Sequence, residues 1–193
     1  MTQEYIGILH PGAMGVSVAA SAKAGGYHVC WASEGRSTKT HERAAGVGLQ
    51  DVGGLEELCA TCSTLISVCP PHAAEEVAGQ VLKLGFTGLY LDANAISPQR
   101  VVQIGEKMAE AGVSFVDGGI IGGPAWEPGR TWLYLSGQGA ERPAALFSQG
   151  PLETEVIGEE AGKASALKMC YAAWTKGTTA LLCACLLYTS DAA

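Results

Sequence analysis

The sequence predicts a doubly wound α/β fold, in which helices cover both faces of a parallel sheet. Short β-rich runs alternate with helical segments along most of the chain, and this is the order of βαβ units. The strand-like runs, such as LISVC and LYLDA, are apolar throughout, as expected for strands that are buried on both faces. The composition agrees, because 48% of the 193 residues are hydrophobic and 16% are charged, which suits a soluble domain with a buried core.

Each predicted element follows from its local pattern of residues. β-Branched, aromatic and aliphatic residues dominate the strands, whereas Ala, Glu, Gln and Lys accompany apolar residues in the helices. The predicted strands, in order, are YIGIL, HVCWA, LISVC, LYLDA, SFVDG and WLYLS. The main predicted helices are AMGVSVAASAKAG, HAAEEVAGQVLKLG and PQRVVQIGEKMAEAG. The apolar stretch Thr178–Tyr188 is shorter than the roughly 20 residues that span a bilayer, so we expect a buried helix there.

The turn after the first strand, LHPGAMG, is similar to a phosphate-binding turn. Such turns follow the pattern G-x-G-x-x-G, and here Gly12 and Gly15 occupy its second and third positions while His10 stands at the first. Gly12 lets the backbone approach a pyrophosphate, and Gly15 lets the helix pack closely on the strand. Pro11 has no N–H to offer a phosphate, so an ordinary strand-to-helix turn is the alternative. The predicted cofactor-binding residues of this turn are His10, Pro11, Gly12, Ala13, Met14 and Gly15.

The end of the second predicted strand, CWASEGRSTKT, bears on the choice of nucleotide. Ser33 stands where an NAD site places the carboxylate that accepts from the ribose 2′-hydroxyl. Arg36, Ser37 and Lys39 follow, and they suit a 2′-phosphate, whereas Glu34 favours NAD. We therefore predict NADP as the cofactor in preference to NAD, with a solvated loop as the alternative.

Composition and local patterns argue against several other functions. A net charge of -7 with 12 scattered Lys and Arg residues disfavours nucleic-acid binding. The N-terminus MTQEY has no basic segment followed by an apolar run, so we expect a cytoplasmic protein. The seven cysteines lie mostly in apolar stretches and indicate buried, reduced thiols, the C-x-x-C at Cys59 and Cys62 included. The four histidines do not share a ligand spacing, so no metal site is predicted.

Several motifs together resemble the β-hydroxyacid dehydrogenase superfamily, which includes 6-phosphogluconate and 3-hydroxyisobutyrate dehydrogenases and, more distantly, imine reductases. The motifs fall in the superfamily's order and cover nearly the whole chain: IGILHPGAMG, SVCPP, YLDANAISP, FVDGGIIGGP, LYLSG and GKASALKMCYAAW. The resemblance implies a Rossmann-type NAD(P)-binding domain over residues 1–158. It also implies an oxidoreductase that transfers hydride between nicotinamide and a small hydroxy-acid-like substrate.

The resemblance further implies which loops hold the nicotinamide. They are the CPP segment, Cys69, Pro70 and Pro71, and the segment containing Asn94. Asn94 stands where the superfamily usually has a hydroxyl residue, and its amide can still donate and accept hydrogen bonds. The alternative for Asn94 is a simple turn-forming role between strand and helix.

The substrate loop and the catalytic lysine also follow from the resemblance. The dehydrogenase loop D-x-x-x-S-G-G is matched by Asp117, Gly122 and Gly123, but Ile121 replaces its serine. This version of the loop looks more like that of imine reductases. Lys168 matches the lysine that acts as general base in oxidation and as general acid in reduction. A surface lysine is the alternative reading of Lys168.

The end of the chain departs from the superfamily. Its members continue from a long interdomain helix into an all-α domain that a partner subunit often completes, which implies a homodimer at full length. We expect residues 159–188 to begin that helix, and the sequence of residues 189–193 resembles a translated sequencing adaptor and is a candidate non-native tail. Ala172 stands where the superfamily usually has Asn. An imine-reductase-like enzyme and a non-catalytic NADP(H)-binding module remain alternative functions.

Overall fold

The computed structural model of the protein describes residues 4–191. Its strands are β1 (Tyr5–Ile8), β2 (His28–Trp31), β3 (Gln50–Asp51), β4 (Thr64–Ser67), β5 (Leu89–Asp92), β6 (Ser114–Ile121), β7 (Trp132–Ser136) and β8 (Glu153–Gly158). Its α-helices are α1 (Ala13–Ala24), α2 (Thr38–Gly46), α3 (Leu55–Thr61), α4 (Ala74–Lys83), α5 (Pro98–Glu110), α6 (Glu141–Ala145) and α7 (Lys163–Asp191). A short 3-10 helix, Pro71–Ala73, precedes α4.

The strands form one eight-stranded sheet in the order β3-β2-β1-β4-β5-β6-β7-β8. β1 to β6 are parallel, and the predicted doubly wound fold is confirmed. The expectation of a wholly parallel sheet is wrong at one edge, where β7 runs antiparallel to β6 and β8 runs parallel to β7. The reason is the connection: residues 122–131 join β6 to β7 without a crossover helix, and a parallel pair would need one.

Two of the strands were not predicted, and their composition explains why. β3 is two residues long and exposed. β8, with sequence ETEVIG, begins with three polar residues and lies at the edge of the sheet. Neither strand therefore shows the continuous apolar run that marks the central strands.

The core lies on both faces of the sheet, as the apolar strands predict. One cluster of buried side chains includes Ile66 and Leu91 and packs beneath α1 and α6. The other includes Leu65 and Tyr90 and packs beneath α3, α4 and α5. Neighbouring residues of β4 and β5 thus enter opposite layers, because side chains alternate along a strand.

The last helix, α7, begins against the sheet and then continues into solvent. Its first turn contacts β6 and β7, but Trp174 is 74% exposed and Leu186 is 69% exposed. The expectation that Thr178–Tyr188 is buried is therefore wrong within the part of the chain that the structure describes, because no element there extends far enough to cover it. Cys170, Cys183 and Cys185, all in α7, are exposed for the same reason. Cys30 and Cys62 are buried as expected, whereas Cys59 and Cys69 are half-buried.

Residues 192–193 of the candidate tail lie outside the described residues, while Thr189 continues the helix. None of the helices within residues 4–191 combines the length and hydropathy that a membrane span requires.

The start of α7 is attached to the sheet through one buried carboxylate. Asp117, in β6, is fully buried. Its Oδ2 accepts hydrogen bonds from the backbone N–H of Gly162 (2.9 Å), the N–H of Ser165 (2.9 Å) and the hydroxyl of Ser136 (3.1 Å). Its Oδ1 accepts from the Ser165 hydroxyl at 2.7 Å. The Ser136 hydroxyl oxygen in turn accepts from the N–H of Ala164 at 3.0 Å. A carboxylate thus satisfies the free N–H groups of the helix N-terminus, where negative charge is favoured.

We expect Asp117→Asn to destabilise the protein by about 3 kcal/mol, because an amide offers one acceptor oxygen to four donors and turns its NH2 group toward N–H groups. Urea unfolding followed by circular dichroism measures the free energy of unfolding. The exposed Glu110 supplies a matched control, Glu110→Gln. A loss of less than about 0.5 kcal/mol in Asp117→Asn, within the range of neutral surface substitutions, would contradict this account of the helix attachment.

Candidate active site

The candidate site lies along the edge of the sheet where the parallel strands end. The chain leaves β1 toward β2 on one side, and β4 lies on the other side of β1. The strand order therefore reverses direction between β1 and β4, and this is where open α/β sheets bind nucleotides. The turns after β1, β2, β4 and β5 carry all the predicted cofactor-binding residues and meet at this edge.

The turn after β1 leaves the N-terminus of α1 open. Gly12 is the N-cap residue, no side chain caps the helix, and its first turn contains no acidic residue. A Cβ at Gly12 would meet nothing within 4 Å, whereas a Cβ at Gly15 would lie 2.1 Å from the carbonyl oxygen of His10. Gly15 is therefore needed for close packing of the helix on the strand, and Gly12 keeps the space before the helix clear. This arrangement suits an anion, because free N–H groups and the helix dipole point toward it.

His10 and Arg36 add two polar atoms without partners to this turn. Arg36 reaches back from the turn after β2, and its Nη2 donates to the carbonyl of Leu9 at 3.2 Å. Within the described residues, Nδ1 of His10 and Nε of Arg36 are buried and make no hydrogen bond. Burial, and to a lesser degree the charge of Arg36, lowers the pKa of His10 to about 4. The imidazole is thus neutral at pH 7. An anionic group would accept from Nε of Arg36, and from Nδ1 of His10 in the tautomer that carries the proton on this nitrogen.

The rest of the turn after β2 is polar and more open. Ser33 is half-buried and Ser37 is exposed. Ser37 is the N-cap residue of α2, and its hydroxyl lies 3.1 Å from that of Thr40. Glu34, which favoured NAD in the sequence, places its Oε2 against Gly54 at the start of α3.

The segments after β4 and β5 are joined through Asn94. Its Oδ1 accepts from the N–H of Cys69 at 2.6 Å, and its Nδ2 donates to the hydroxyl of Ser67 at 3.0 Å. Asn94 is only 3% exposed, whereas Pro70 and Pro71 are exposed. The side chain of Asn94 is thus directed into the protein, between the two segments that were predicted to hold the nicotinamide.

Asp92, at the end of β5, is buried with one of its oxygens unpaired. Its Oδ1 accepts from the N–H of Asn94 at 3.0 Å, and its Oδ2 has no hydrogen-bond partner among the described residues. Burial raises the pKa of Asp92 to about 6, and the neighbouring Asp117 also raises it. Asp92 pairs with Asp117 across the sheet, in the register of β5 and β6.

Lys168 faces the same edge from α7. Its Nζ donates a hydrogen bond to the carbonyl of Ile120, near the end of β6. Burial lowers the pKa of Lys168, and the charge of Lys176 lowers it further. A cleft of about 350 Å³ adjoins the lysine. The residues that line this cleft are Pro71, Ala95, Lys168, Met169, Tyr171, Ala172, Thr175 and Lys176.

The predicted substrate loop is divided between the core and the surface. Ile121 is half-buried at the end of β6, and Gly122 and Gly123 are exposed. Gly122 has φ +126°, and a Cβ there would lie 2.5 Å from the carbonyl oxygen of Arg130, so glycine is required. Asp117 has a different place from the one its motif implies, because both of its oxygens already bind α7 and Ser136.

Besides Asp92, three serines of the site were not predicted: Ser67, Ser136 and Ser165. Each is fully buried with its hydroxyl in a hydrogen bond. The available signal was their position, because two of them end apolar strands and the third lies in the first turn of a helix. Within the described residues no group of three His, Cys, Asp or Glu side chains could hold a metal ion.

Comparison with known proteins places this geometry in a family. The family model described as the NAD-binding domain of 6-phosphogluconate dehydrogenase matches residues 5–141. The chain belongs to this family. A curated relative, an uncharacterized 28.5 kDa protein in the 7S RNA 5′ region of Methanothermus fervidus, is 32% identical over 149 residues, which are 77% of this chain and 57% of that protein.

Solved structures show the same fold as this NAD(P)-binding domain. A conserved protein of unknown function, with structural similarity to 3-hydroxyacid dehydrogenases, is 31% identical, with a TM-score of 0.77 over 92% of this chain and 67% of that one. An imine reductase from Myxococcus stipitatus in complex with NADP+ is 19% identical, with a TM-score of 0.79 over 91% and 62%. A 3-hydroxyisobutyrate dehydrogenase from Mycobacterium tuberculosis is 19% identical, with a TM-score of 0.73 over 88% and 59%. The chain therefore spans 57% to 67% of the length of these relatives.

The raised pKa of Asp92 predicts a pH dependence of the stability of this domain. Its pKa rises from 3.8 to about 6 on folding, so the folded protein favours the protonated carboxyl. The resulting stabilisation is complete below about pH 4 and is lost as the pH rises through about 6. We expect Asp92→Asn, which stays neutral, to gain roughly 2 to 3 kcal/mol over the wild type between pH 4 and pH 8.

Urea unfolding of both proteins at several pH values measures this difference. The exposed Asp51 provides the control variant Asp51→Asn, which removes a carboxylate from the surface. A difference between Asp92→Asn and the wild type that stays constant with pH would contradict the raised pKa of Asp92.

Proposed function

We propose that the chain is the cofactor-binding part of an NADP-dependent oxidoreductase that acts on a small substrate. The observation that carries this proposal is the cleft in which Lys168 faces Pro71 and Ala95, the residues that follow β4 and β5. A proton-transferring side chain and the proposed nicotinamide segments thus share one concave site. A bound nicotinamide would supply or accept a hydride there.

The preference for NADP rests on the turn after β2. Ser33 replaces the carboxylate that would accept from a ribose 2′-hydroxyl, and Arg36 is the cation at the same edge. The carboxylate of Glu34 is directed toward α3, which leaves Arg36 as the dominant charge. Arg36 and His10 offer buried polar atoms for the phosphates, and Ser37 offers an exposed hydroxyl.

Lys168 is the proposed proton donor and acceptor. Its lowered pKa brings it closer to the working range of a general acid or base. The hydrogen bond to the Ile120 carbonyl holds the ammonium group at the end of β6. In reduction Lys168 would donate a proton to the substrate, and in oxidation it would accept one.

The proposed substrate class follows from Ile121, at the end of β6, and Ala172, which lines the cleft. Ile121 and Ala172 supply no hydrogen-bonding side chain where dehydrogenases of the superfamily use Ser and Asn. A hydroxy acid would thus lack two polar partners, and this favours an imine-reductase-like activity as the second candidate. Tyr171, Thr175 and Lys176 are the other residues of the cleft with polar side chains. A non-catalytic NADP(H)-binding module is the third candidate, and it makes no use of Lys168.

We also propose that the full-length protein is a homodimer. The support is an exposed apolar stripe along α7, where Trp174, Leu181 and Tyr188 recur every seven residues on one side of the helix and are between 66% and 78% exposed. A contiguous apolar surface of this kind marks an interaction site.

We expect fluorescence titration of the protein to show tighter binding of NADPH than of NADH. Arg36→Ala should reduce the affinity for NADPH by roughly 10-fold or more, because it removes a charged hydrogen-bonding partner of a phosphate. The affinity for NADH should change less. Arg43→Ala, which removes the same charge from α2, is the matched control. Equal affinities of the wild type for the two cofactors would cancel the preference for NADP, and binding of neither would overturn cofactor binding.

We expect Lys168→Ala to lower kcat by roughly 10² to 10⁴-fold, the usual contribution of general acid–base catalysis. The assay uses the full-length protein with NADPH and cyclic imines, and with NADP+ and 3-hydroxy acids, to find the substrate first. The KM for the cofactor should stay within about twofold, and Lys163→Ala on the same helix is the control. Unchanged turnover in Lys168→Ala would remove the proposed proton role.

A further inference from the structure

We propose that Asn94 is a positioning residue, which fixes the spacing of the two segments that hold the nicotinamide, and that it is not itself a ligand of the cofactor. This inference rests on the proposed function, since the nicotinamide is placed against these segments there. It changes the role that the sequence implies for Asn94.

The geometry is a closed ring of three hydrogen bonds. The N–H of Cys69 donates to Oδ1 of Asn94 (2.6 Å), Nδ2 of Asn94 donates to the hydroxyl oxygen of Ser67 (3.0 Å), and the Ser67 hydroxyl donates to Sγ of Cys69 (3.9 Å). Asn94 follows β5, whereas Ser67 and Cys69 end and follow β4. The ring therefore joins the two strand ends beyond the last backbone bond between them, from the N–H of Ala93 to the carbonyl of Ser67 (2.9 Å).

The side chain of Asn94 has little left to offer a ligand. It is 3% exposed, and its oxygen and one of its N–H groups are already paired inside the protein. Asp92 holds the backbone of Asn94, because Oδ1 of Asp92 accepts from the N–H of Asn94 at 3.0 Å. This is an Asx-type turn that sets the direction of the chain after β5.

An amide is the group that this position needs. One end must accept from a backbone N–H and the other must donate to a hydroxyl, and among side chains of this length only Asn has both. A Ser or Thr hydroxyl, usual in the superfamily, is too short to reach both partners. An Asp would place a second carboxylate beside the buried Asp92, at a high cost in free energy.

The spacing matters because both joined segments line the candidate active site, one through Pro71 and the other through Ala95, which directly follows Asn94. The segment after Cys69 continues into Pro71, which lines the cleft together with Lys168 and Ala95. Nη2 of Arg100 donates to the carbonyl of Pro71 at 3.2 Å, so the far end of the segment is held as well. Loss of the Asn94 ring would leave the near end free to move, and the nicotinamide would lose a preformed surface.

The test compares two ligands of different reach. NADPH extends to the segments after β4 and β5, whereas adenosine 2′,5′-bisphosphate occupies only the adenosine half of the site and does not reach them. We expect Asn94→Ala to lower the affinity for NADPH roughly 10-fold and to keep the affinity for the bisphosphate within about twofold of the wild-type value. Gln103→Ala, which removes an exposed amide from α5, is the control and should change neither affinity.

A double-mutant cycle with Ser67 separates positioning from direct contact. If Asn94 acts through the ring, Ser67→Ala lowers the affinity for NADPH by about threefold. The affinity of the double variant then equals that of Asn94→Ala alone, within about twofold. If Asn94 contacts the cofactor directly, the two effects multiply, and that result would overturn the proposal. An equal loss of affinity for NADPH and the bisphosphate in Asn94→Ala would overturn it too, since it would indicate a general defect of the fold.

Hydrogen exchange on the unliganded protein tests the ring without any cofactor. The amides of Val68, Cys69 and residues 93–96 should exchange faster in Asn94→Ala than in the wild type, while β1 and β6 should keep their protection. Unchanged exchange in the two segments would contradict the ring. Wild-type protein that binds neither ligand would instead overturn the proposed function, and the nicotinamide role of Asn94 with it, even if the exchange result supports the ring.

Discussion

The buried carboxylate of Asp117 connects the sheet to the helix that carries the catalytic candidate. Its two oxygens receive four hydrogen bonds, from the backbone of Gly162 and Ser165 and from two serine hydroxyls. α7 therefore starts at a fixed place and in a fixed direction, and Lys168, less than one turn beyond Ser165, reaches the carbonyl of Ile120. Without this attachment the position of Lys168 relative to the strand ends would be undetermined, and the cleft would lose one wall.

At the turns after β1 and β2, in contrast, polar groups of the site have no hydrogen-bond partners among the described residues. Nδ1 of His10 and Nε of Arg36 are buried and unpaired within residues 4–191, and the N-terminus of α1 has no side-chain cap. Such groups cost free energy in the unliganded protein, and an anion would recover it. The protein thus satisfies its polar groups where a helix must be held and leaves them free where the phosphates are proposed to bind.

The sequence predicts the parallel part of the fold because β1, β4 and β5 are apolar on both faces. The turn at Gly12 and Gly15 also predicts which edge of the sheet would bind a nucleotide. The sequence does not predict the reversal at β7, since strand direction depends on how the chain crosses the sheet and not on the composition of the strand. The sequence also does not predict the contacts that Asp117 and Asn94 make. A motif gives the type of residue, but whether a carboxylate or an amide faces a ligand or a helix N-terminus depends on contacts between residues far apart in the chain.

The two walls of the cleft are attached at neighbouring points of the sheet. Asp92 and Asp117 are partners in the register of β5 and β6; the first orients Asn94 and hence the nicotinamide segments, and the second holds α7 and hence Lys168. Two like charges this close oppose each other, and the raised pKa of Asp92 reflects burial first and then this repulsion. Asp117 has four donors, whereas Asp92 has one hydrogen bond and an unpaired oxygen. Protonation of Asp92 as the pH falls through about 6 therefore removes this repulsion at the point from which both walls are positioned.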